Sequence, residues 1–446
     1  MTYFRNNSVT PGRHLFAALV LLNLALSSAQ ARAAPYRPTS DAAVLATVPV
    51  GTRVATIRPR DLQSALTQAA ADVESARTTG DPRYLGYAQS ALGPWWAAKD
   101  APLPVVLIRA QIHQHNHLFE AALVDLDHAL TLDPRNAQAR LTRAAIYQVQ
   151  GNYAAAATDC RSLALLVEPL ITVDCMSRVS SLRGEASHAY RKLLLVRDRA
   201  GSMEPRQRKE IELTLADIST RLGDVDAARQ HYAVALSAAG ADAYTLLTFA
   251  DFLLEQREYG EVIALFERYP EYADLLLRAA LAARAMNTPN ASALAQKIRE
   301  QYAAHQRRGD FVPTRDYARF LLDIEGKASA ALDAALINWR SQREPADALI
   351  AVRAAIAAGR PAAASPVATF VRERGLEDVR LSALLVPLRL PAPAPSSEPP
   401  SQHGLPRAPA PTPFAHPAQS GLLQARAPAP SRHPAQYGQM QLEPRP

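Results

Sequence analysis

The chain has 446 residues, of which 48% are hydrophobic, so it is long enough and apolar enough to bury a sizeable core. Only 18 residues are glycine and alanine is abundant, which favours helix because alanine has the highest helix propensity and glycine one of the lowest. The net charge is +7, but the 49 basic and 42 acidic residues are interspersed, which argues against a nucleic-acid-binding surface.

The first 33 residues have the pattern of a secretory signal. Arg5 and Arg13 form a positive segment, the run from Leu15 to Leu26 is apolar apart from one asparagine, and small residues at 29–33 offer cleavage positions. The apolar run is short for a membrane span, so an uncleaved anchor is the less favoured alternative. We therefore expect residues 1–33 to be a signal peptide. The protein is then expected to be exported, to a bacterial periplasm, without stable membrane insertion after cleavage.

Residues 34–60 contain proline, threonine and short alternations of β-branched residues, as at Val48 and Val50. This composition predicts an arm or linker. Helical periodicity begins after it, and the candidate helices Leu62–Thr78 and Tyr84–Trp96 form the first predicted pair.

A period of 34 residues runs through the middle of the chain. Alanines recur where two helices must approach closely, and large side chains recur where the space between helices must be filled. Between 102 and 169 the recurring pairs are Ala110 and Ala144, Phe119 and Tyr153, and Ala122 and Ala156. Between 208 and 270 they are Ala216 and Ala250, Val225 and Tyr259, and Ala228 and Val262.

These positions resemble the tetratricopeptide-repeat (TPR) family. The resemblance is carried by the alanine at the eighth place of each repeat, by the turns Gly-Asn-Tyr at 151–153 and Gly-Asp-Val at 223–225, and by the terminator Asp133-Pro134. The tryptophan and the Leu-Gly pair of the family pattern are missing or altered, and the clear matches cover roughly a third of the chain. The resemblance implies an all-α solenoid of stacked antiparallel helix pairs.

Helical periodicity continues beyond the clear repeats, and the gap between the two blocks fits one degenerate repeat. We predict a TPR solenoid over 61–270 and a TPR-like helical continuation over 271–390. Residues 391–446 hold 15 of the 34 prolines and little apolar mass, so they are expected to be a disordered Pro/Ala-rich tail. The candidate helices after 270 are Ala273–Met286, Ala291–Ala304, Thr314–Ile324, Ala328–Gln342, Pro345–Ala358 and Ala362–Arg374.

In TPR proteins the first helix of each pair lines a concave groove that suits an extended peptide or a partner helix. The resemblance places amide-rich residues early in this groove and acidic residues with one arginine later. It implies a groove for polar or basic segments of a partner, and the alternative is an ordinary solvated face. The positions carried over are Gln111, Gln114, His115, Gln138 and Gln148 in the early part, and Glu210, Asp217, Arg221, Tyr244, Asp251 and Glu255 in the later part.

The run 113–117 reads His-Gln-His-Asn-His. A helix would place His113 and His117 one turn apart on one face, a spacing that suits a transition metal. However, His113 occupies a core position of its repeat, and only Glu120 offers a nearby carboxylate. A core histidine with two exposed ones is the favoured interpretation, and metal binding that also involves His115 is the alternative.

The chain has two cysteines, Cys160 and Cys175. Cys160 lies late in the second helix of one repeat and Cys175 in the first helix of the next, so antiparallel packing would bring them face to face. An exported protein meets an oxidising environment in which such a pair can form a disulfide. We predict this bond, and two separate buried thiols are the alternative.

The sequence lacks a Gly-rich phosphate loop, a Gly-x-Ser-x-Gly turn and a His-Glu-x-x-His motif. It therefore predicts a protein that is not an enzyme and needs no cofactor. The predicted function is that of an exported scaffold, which binds a protein or peptide partner, does not bind nucleic acid, and assembles envelope components. Two other classes stay open: a periplasmic metal-handling protein that uses the histidine cluster, and an enzyme with an unrecognised site after residue 270.

Overall fold

The computed structural model describes residues 61–308 and 314–388. Within them the chain forms α-helices, with short 3₁₀ and π turns at some helix ends, and contains no β-strand. The predicted signal peptide (1–33), arm or linker (34–60) and tail (391–446) lie outside the described residues. A membrane-crossing helix would have to be longer and more apolar than any helix found in this described part.

Within these residues, helices follow one another in nine antiparallel pairs, which we call hairpins 1 to 9, and one further helix ends the described chain. A four-residue helix, Gly93–Trp96, lies between hairpins 1 and 2, so the predicted helix Tyr84–Trp96 is divided into two. Hairpins 1 to 3 are α1 (Leu62–Thr79) with α2 (Arg83–Ala91), α3 (Leu103–His115) with α4 (Phe119–Leu132), and α5 (Ala137–Val149) with α6 (Tyr153–Ser162). Hairpins 4 to 6 are α7 (Pro169–Ser180) with α8 (Ala186–Arg199), α9 (Pro205–Leu222) with α10 (Val225–Ala238), and α11 (Ala243–Glu255) with α12 (Tyr259–Arg268).

Hairpins 7 to 9 complete the series. They are α13 (Leu275–Ala285) with α14 (Ala291–Arg308), α15 (Arg315–Arg319, continued by the π-helical stretch Phe320–Ile324) with α16 (Ala328–Trp339), and α17 (Pro345–Ala357) with α18 (Ser365–Arg374). The final helix is α19 (Val379–Leu385). All the helices predicted after residue 270 are present, with ends that differ by a few residues.

The turns inside the hairpins have a local cause in the sequence. Gly151 has a φ of 76°, a left-handed conformation that glycine adopts without strain. Asn152 and Asp224 follow the turns of hairpins 3 and 5, and each side chain accepts a hydrogen bond from a backbone N–H in the first turn of the next helix. The second helix of the hairpin therefore begins directly after the turn.

The repeated small and large residues pack between the helices. Ala110, Ala122 and Ala144, together with Phe119 and Tyr153, are each at most 3% exposed. The alanines let two helices approach closely, and the aromatic rings fill the space beside them. The predicted all-α solenoid of stacked helix pairs is confirmed.

A buried ion pair recurs with the same period. Arg109 Nη2 lies 2.6 Å from Asp125 Oδ1. In the next hairpin, Arg143 Nη2 lies 2.7 Å from Asp159 Oδ1. The arginine is on the first helix and the buried aspartate on the second, so each pair joins the two helices of its hairpin.

The stack of hairpins curves until late hairpins reach early ones. The backbone N–H of Arg343, just before hairpin 9, donates to the carbonyl oxygen of Val149 at the turn of hairpin 3, at 2.7 Å. Arg77 Nη1 of hairpin 1 lies 2.9 Å from Asp242 Oδ2 at the start of hairpin 6. Hairpins 1 to 5 therefore form one turn of a superhelix, and the later hairpins form a second turn stacked on it.

Glycine is required where the two turns meet. A Cβ atom on residue 151 would lie 2.7 Å from the ring of Phe370, and a Cβ atom on residue 184 would lie 3.3 Å from the carbonyl oxygen of Gly375. Gly151 and Gly184 stand at the turns of hairpins 3 and 4. These turns therefore need glycine for the contact as well as for the left-handed φ.

A disulfide joins hairpin 3 to hairpin 4. Cys160 on α6 and Cys175 on α7 have Sγ atoms 1.96 Å apart and Cα atoms 5.5 Å apart. The Cα separation is within the usual range for a disulfide. The bond closes a loop of 15 residues in sequence separation and links neighbouring members of the stack.

The final helix, α19, is not among the predicted helices, which end at Arg374. The side chain of Asp378 caps it by accepting hydrogen bonds from two backbone N–H groups of its first turn. With seven residues, it is too short for helical periodicity to stand out in the sequence. It packs on the first turn of the superhelix, where Val379 faces Gly223 of hairpin 5.

Candidate binding cavity

A cavity of about 1120 Å³ opens where the second turn of the superhelix meets α19. Its walls come from the first helices of hairpins 6 to 9 (α11, α13, α15 and α17), from α19, and from the turn of hairpin 5. First helices are the ones that line the groove in the TPR resemblance. The volume lies just above the roughly 300–1,000 Å³ of typical small-molecule pockets.

Arginine dominates the charged lining. The cavity walls carry six arginines and three carboxylates, so a ligand that enters meets an excess of positive charge. The arginines are Arg257, Arg284, Arg315, Arg319, Arg353 and Arg380, and the carboxylates are Asp251, Glu255 and Asp323.

Asp251 is the centre of a charged network in the wall. Arg278 is 2% exposed and donates to both carboxylate oxygens of Asp251, at 3.0 and 2.8 Å, and Arg319 donates to one of them. Burial alone would raise the pKa of the Asp251 carboxyl, but Arg278 and Arg319 outweigh it and hold the pKa well below its ordinary value. Asp251 is therefore ionised, and the network holds α11, α13 and α15 together.

The helix α19 contributes Arg380 to the rim. Arg380 Nη1 lies 2.7 Å from both oxygens of Glu255, and its Nη2 lies 2.6 Å from Asp378 Oδ2. Burial raises the pKa of the Glu255 carboxyl, and Arg380 offsets only part of that shift. These contacts hold α19 against α11 and so define one side of the cavity.

Three arginines keep hydrogen-bond donors for a ligand. Arg284 donates through Nη1 to the carbonyl oxygen of Ile324 at 3.0 Å, and Arg353 Nη2 lies 2.7 Å from Asp323 Oδ1. Among the described residues, no carboxylate lies within ion-pair distance of Arg257 or Arg284. A guanidinium has five N–H donors, so most of the donors on these side chains have no acceptor in the described part of the protein.

The rest of the lining is largely apolar. Phe252 and Ile350 are buried in the wall, and Leu281 and Leu349 are partly buried beside them. Val379 of α19 is 48% exposed at the cavity. Each large apolar side chain that a ligand buries here would contribute about 1.5–3 kcal/mol.

The later groove residues of the sequence analysis lie on first helices, but most have partners. Asp251 and Glu255 line the cavity. Glu210 Oε2 lies 3.7 Å from Arg178 Nη2. Tyr244 is 57% exposed, although the protein packed around it raises the pKa of its phenol. Of this set, the structure brings only Asp251 and Glu255 into the cavity.

Arg221 does not line the groove, and this prediction is wrong. The side chain is 1% exposed, and it donates to the carbonyl oxygen and to Oγ of Ser181, at 2.9 and 2.8 Å. Arg221 Nε also donates to Asp217 at 3.1 Å, and the backbone of Glu377 lies over the same guanidinium. The sequence pattern does not show that the second turn of the superhelix covers the turn of hairpin 5.

The expected acidic character of the later groove is also wrong. Asp251 is paired with Arg278 and Arg319, and Glu255 is paired with Arg380. These partners lie 27, 68 and 125 residues away in the sequence, so no local pattern connects them with the carboxylates. A basic segment is therefore not the expected ligand of this region.

The early groove residues are on α3 and α5, and none of them lines the cavity. The structure therefore does not join the amide-rich and later sets in one site. Three of them are partly buried and two are exposed: Gln111, Gln114 and Gln148 in the first group, and His115 and Gln138 in the second.

His113 and His117, which were expected on one face of a helix, contact different neighbours. The ring of His113 packs on Trp96, with centroids 5.4 Å apart, and its Nδ1 lies 3.2 Å from Asp125 Oδ2. His117 has a φ of 57° at the turn of hairpin 2 and packs on Phe119. Within residues 61–308 and 314–388, no three or more His, Cys, Asp or Glu side chains are grouped to hold a metal ion.

A second cavity of about 540 Å³ lies between α8, α9 and α10. It is lined by a series of hydrogen-bonded polar side chains that were not predicted from the sequence. Glu212 accepts a hydrogen bond from His231 Nδ1 at 2.6 Å, and His231 Nε2 is hydrogen-bonded to the hydroxyl of Tyr190 at 3.0 Å. Arg197 Nη1 also lies 3.1 Å from Glu212. These side chains form hydrogen bonds and ion pairs with one another and so connect three helices. They do not belong to a recognisable sequence motif.

No protein-family model matches the sequence, and no curated protein matches it. The chain is similar to a tetratricopeptide repeat protein from Parabacteroides merdae, at 15% identity and a TM-score of 0.34, over 53% of this chain and 92% of that one. It is also similar to the APC/C hetero-tetramer Cut9–Hcn1, at 14% identity and a TM-score of 0.41, over 74% of this chain and 63% of that one. Yeast Tom70 shows 11% identity and a TM-score of 0.24, over 73% and 88%. Each likeness concerns the fold alone, and the solenoid assignment rests on the hairpins described above.

Proposed function

We propose that the protein is an exported scaffold that binds a segment of another protein in the cavity between hairpins 6 to 9 and α19. By holding that segment, it assembles or recruits components of the cell envelope. The observation that carries the proposal is the cavity itself, which has a volume of about 1120 Å³, an apolar floor and arginines with unused donors. A lining of this kind suits a chain segment with both apolar and polar groups.

The composition of the cavity also supports binding of a protein. Binding energy at protein interfaces is concentrated in aromatic and arginine side chains that sit in well-packed pockets. Tyr259, which is partly buried, provides aromatic surface beside the six arginines of the lining, whereas Phe252 is buried in the wall. A catalytic site would instead need a nucleophile and a base within reach of each other. Each carboxylate of the wall is instead paired with an arginine: Asp251 with Arg278, Asp323 with Arg353, and Glu255 with Arg380.

Two features support export. The first 33 residues have the pattern of a secretory signal, and Cys160 and Cys175 form a disulfide. Disulfides persist in oxidising compartments such as the bacterial periplasm. Fractionation of the producing cells should therefore find the oxidised protein in the periplasm, and finding it only in the cytoplasm would contradict this part of the proposal.

The proposed site is tested by filling it. Ala383 lies on α19, is exposed, and lines the cavity. In Ala383→Trp the indole occupies space that a partner segment would use, without a change of charge. The full chain carrying a photo-crosslinker in place of Leu349 should give a discrete crosslinked partner. We expect Ala383→Trp to reduce the yield of that product by about tenfold or more.

A matched control is Ala154→Trp, which adds the same ring at an exposed position of α6 outside the cavity. This variant should keep the crosslinked product. If Ala383→Trp keeps it as well, the partner does not occupy the cavity and the proposed function is wrong.

A further inference from the structure

We infer that the segment held in this cavity is acidic, with carboxylate groups that meet the arginines and apolar side chains that meet the floor. The inference rests on the proposed function, because it names the chemistry of the partner for the same site. It commits to one occupant, an acidic and partly apolar segment of another protein.

The first argument is the charge that a ligand meets. Three carboxylates line the cavity against six arginines. Arg315 and Arg380 also have carboxylate partners that do not line the cavity. Arg315 pairs with Glu344 and Asp347, and Arg380 pairs with Asp378, whose side chain is 0% exposed, as well as with Glu255 of the lining. The surface that faces the ligand is therefore more positive than the wall as a whole.

The second argument is that some guanidinium groups are available. Among the described residues, neither Arg257 nor Arg284 has a carboxylate partner, and Arg353 uses only Nη2 for its ion pair with Asp323. Arg257 and Arg284 are both exposed, so a ligand can reach them without breaking an existing pair. Arginine binds carboxylate through two parallel N–H···O bonds, which gives both direction and strength.

The third argument compares the charge of the chain's own C-terminal segment with that of the cavity. The described chain ends close to the cavity, because Leu384 lines it and the last described residue is Leu388. Residues 389–446, however, carry five arginines and two glutamates. This segment has the same sign of charge as the cavity, so electrostatics favour a partner over the segment.

The test uses synthetic peptides of about 18 residues, long enough for five helical turns or an extended strand. One peptide combines leucine with glutamate, a second replaces glutamate by glutamine, and a third replaces it by lysine. Binding to the full chain is measured by fluorescence anisotropy. We expect the glutamate peptide to bind at least about tenfold more tightly than the glutamine peptide, with an affinity that falls as salt is added. Equal binding of the two, or tighter binding of the lysine peptide, would overturn the inference.

Two variants locate the interaction. Arg257→Glu combined with Arg284→Glu should weaken binding of the glutamate peptide by about tenfold or more, because two attractive charges become repulsive. Arg135→Glu combined with Arg372→Glu makes the same change of charge at exposed positions outside the cavity and should leave binding unchanged. If the charge-reversed cavity variant does not fold, Arg257→Gln with Arg284→Gln gives the same test with a smaller expected loss.

The two levels of the proposal can fail separately. If Ala383→Trp removes the crosslinked partner but the arginine variants bind that partner normally, the cavity is the site and the acidic chemistry is wrong. If Ala383→Trp has no effect on the partner, the proposed function is wrong, whatever the peptides do.

Discussion

Tyr153 and Tyr190 differ in what their hydroxyl groups contact. The hydroxyl of Tyr190 bonds to His231, whereas the hydroxyl of Tyr153 is buried and has no hydrogen-bond partner within the described part of the chain. A buried hydroxyl without a partner loses its hydrogen bonds to water and gains nothing in exchange. The ring of Tyr153 packs between helices at the repeat position that Phe119 occupies 34 residues earlier. Phe119 has no hydroxyl, so the packing at this position does not require one.

We expect Tyr153→Phe to leave the free energy of unfolding unchanged or to raise it by about 1 kcal/mol, since it removes an unsatisfied group and keeps the packing. The measurement is the urea midpoint of the purified protein. Tyr190→Phe is the matched control, and it should lower the free energy of unfolding by about 1 kcal/mol because it breaks a made hydrogen bond. A larger loss in Tyr153→Phe than in Tyr190→Phe would contradict this account.

At the scale of helices, the sequence predicted most of what local pattern controls. The alanines of the repeat and the Gly-Asn turn at 151–152 are local features, and they placed the hairpins correctly. The 34-residue recurrence also includes the charged residues Arg109 and Asp125, which recur as Arg143 and Asp159, but their pairing across each hairpin is seen only in the structure. The short helix α19 was missed because its stability comes from its cap and its contacts.

Arg109 and Asp125 are expected to contribute to the stability of the fold as a unit, so that losing one partner costs more than losing both. Asp125→Leu leaves the guanidinium of a largely buried arginine without its carboxylate and should lower the free energy of unfolding by about 3 kcal/mol. Arg109→Met combined with Asp125→Leu should be less harmful, because it removes both charges and adds apolar volume. The free energies of unfolding of both variants are measured from urea unfolding curves of the full chain.

The control for this prediction is Arg83→Ala, which removes the ion-pair partner of Asp81 at a side chain that is 78% exposed. Exposed ion pairs contribute about 0–1 kcal/mol, so this change should be small. If the double variant at residues 109 and 125 is less stable than Asp125→Leu alone, the two side chains do not act as one unit.

At the scale of the whole molecule, the cavity depends on contacts that no local pattern reveals. Arg380 reaches Glu255 across 125 residues of sequence, and Arg77 reaches Asp242 across 165. Such contacts follow from the curvature of the stack, which is the sum of small rotations between hairpins. The sequence alone therefore predicted the concave first helices, but it failed to predict the sign of the charge that they present.

Asp242 connects the two turns of the superhelix, and its contribution should depend on pH. Asp242 Oδ2 lies 2.7 Å from Lys209 Nζ and 2.9 Å from Arg77 Nη1. Burial raises the pKa of Asp242, but hydrogen bonds from Lys209 and Thr245 outweigh it, and the pKa in the folded protein is below the ordinary value of 3.8. A lowered carboxyl pKa stabilises the fold above the unfolded pKa, and this stabilisation is lost as the pH falls through the lowered value.

We expect Asp242→Asn to lower the free energy of unfolding by about 2 kcal/mol at neutral pH, because it removes charge-assisted hydrogen bonds from a buried site. The difference from the wild type should shrink as the pH is lowered below 3.8. Asp226→Asn, at an exposed position of α10, should shift the urea midpoint little at any pH. A difference between Asp242→Asn and the wild type that stays constant down to the acid transition would contradict the assignment.

In a solenoid whose repeats touch only their neighbours, evolution can change the copy number freely, because each repeat brings its own interfaces. Here hairpin 1 meets hairpin 6, and hairpin 3 meets the start of hairpin 9. A duplicated hairpin inserted between these partners would shift every later hairpin by one place, so that Gly151 would no longer face Phe370. The protein is therefore expected to tolerate growth at the ends of the array, while duplication or loss in its middle is selected against.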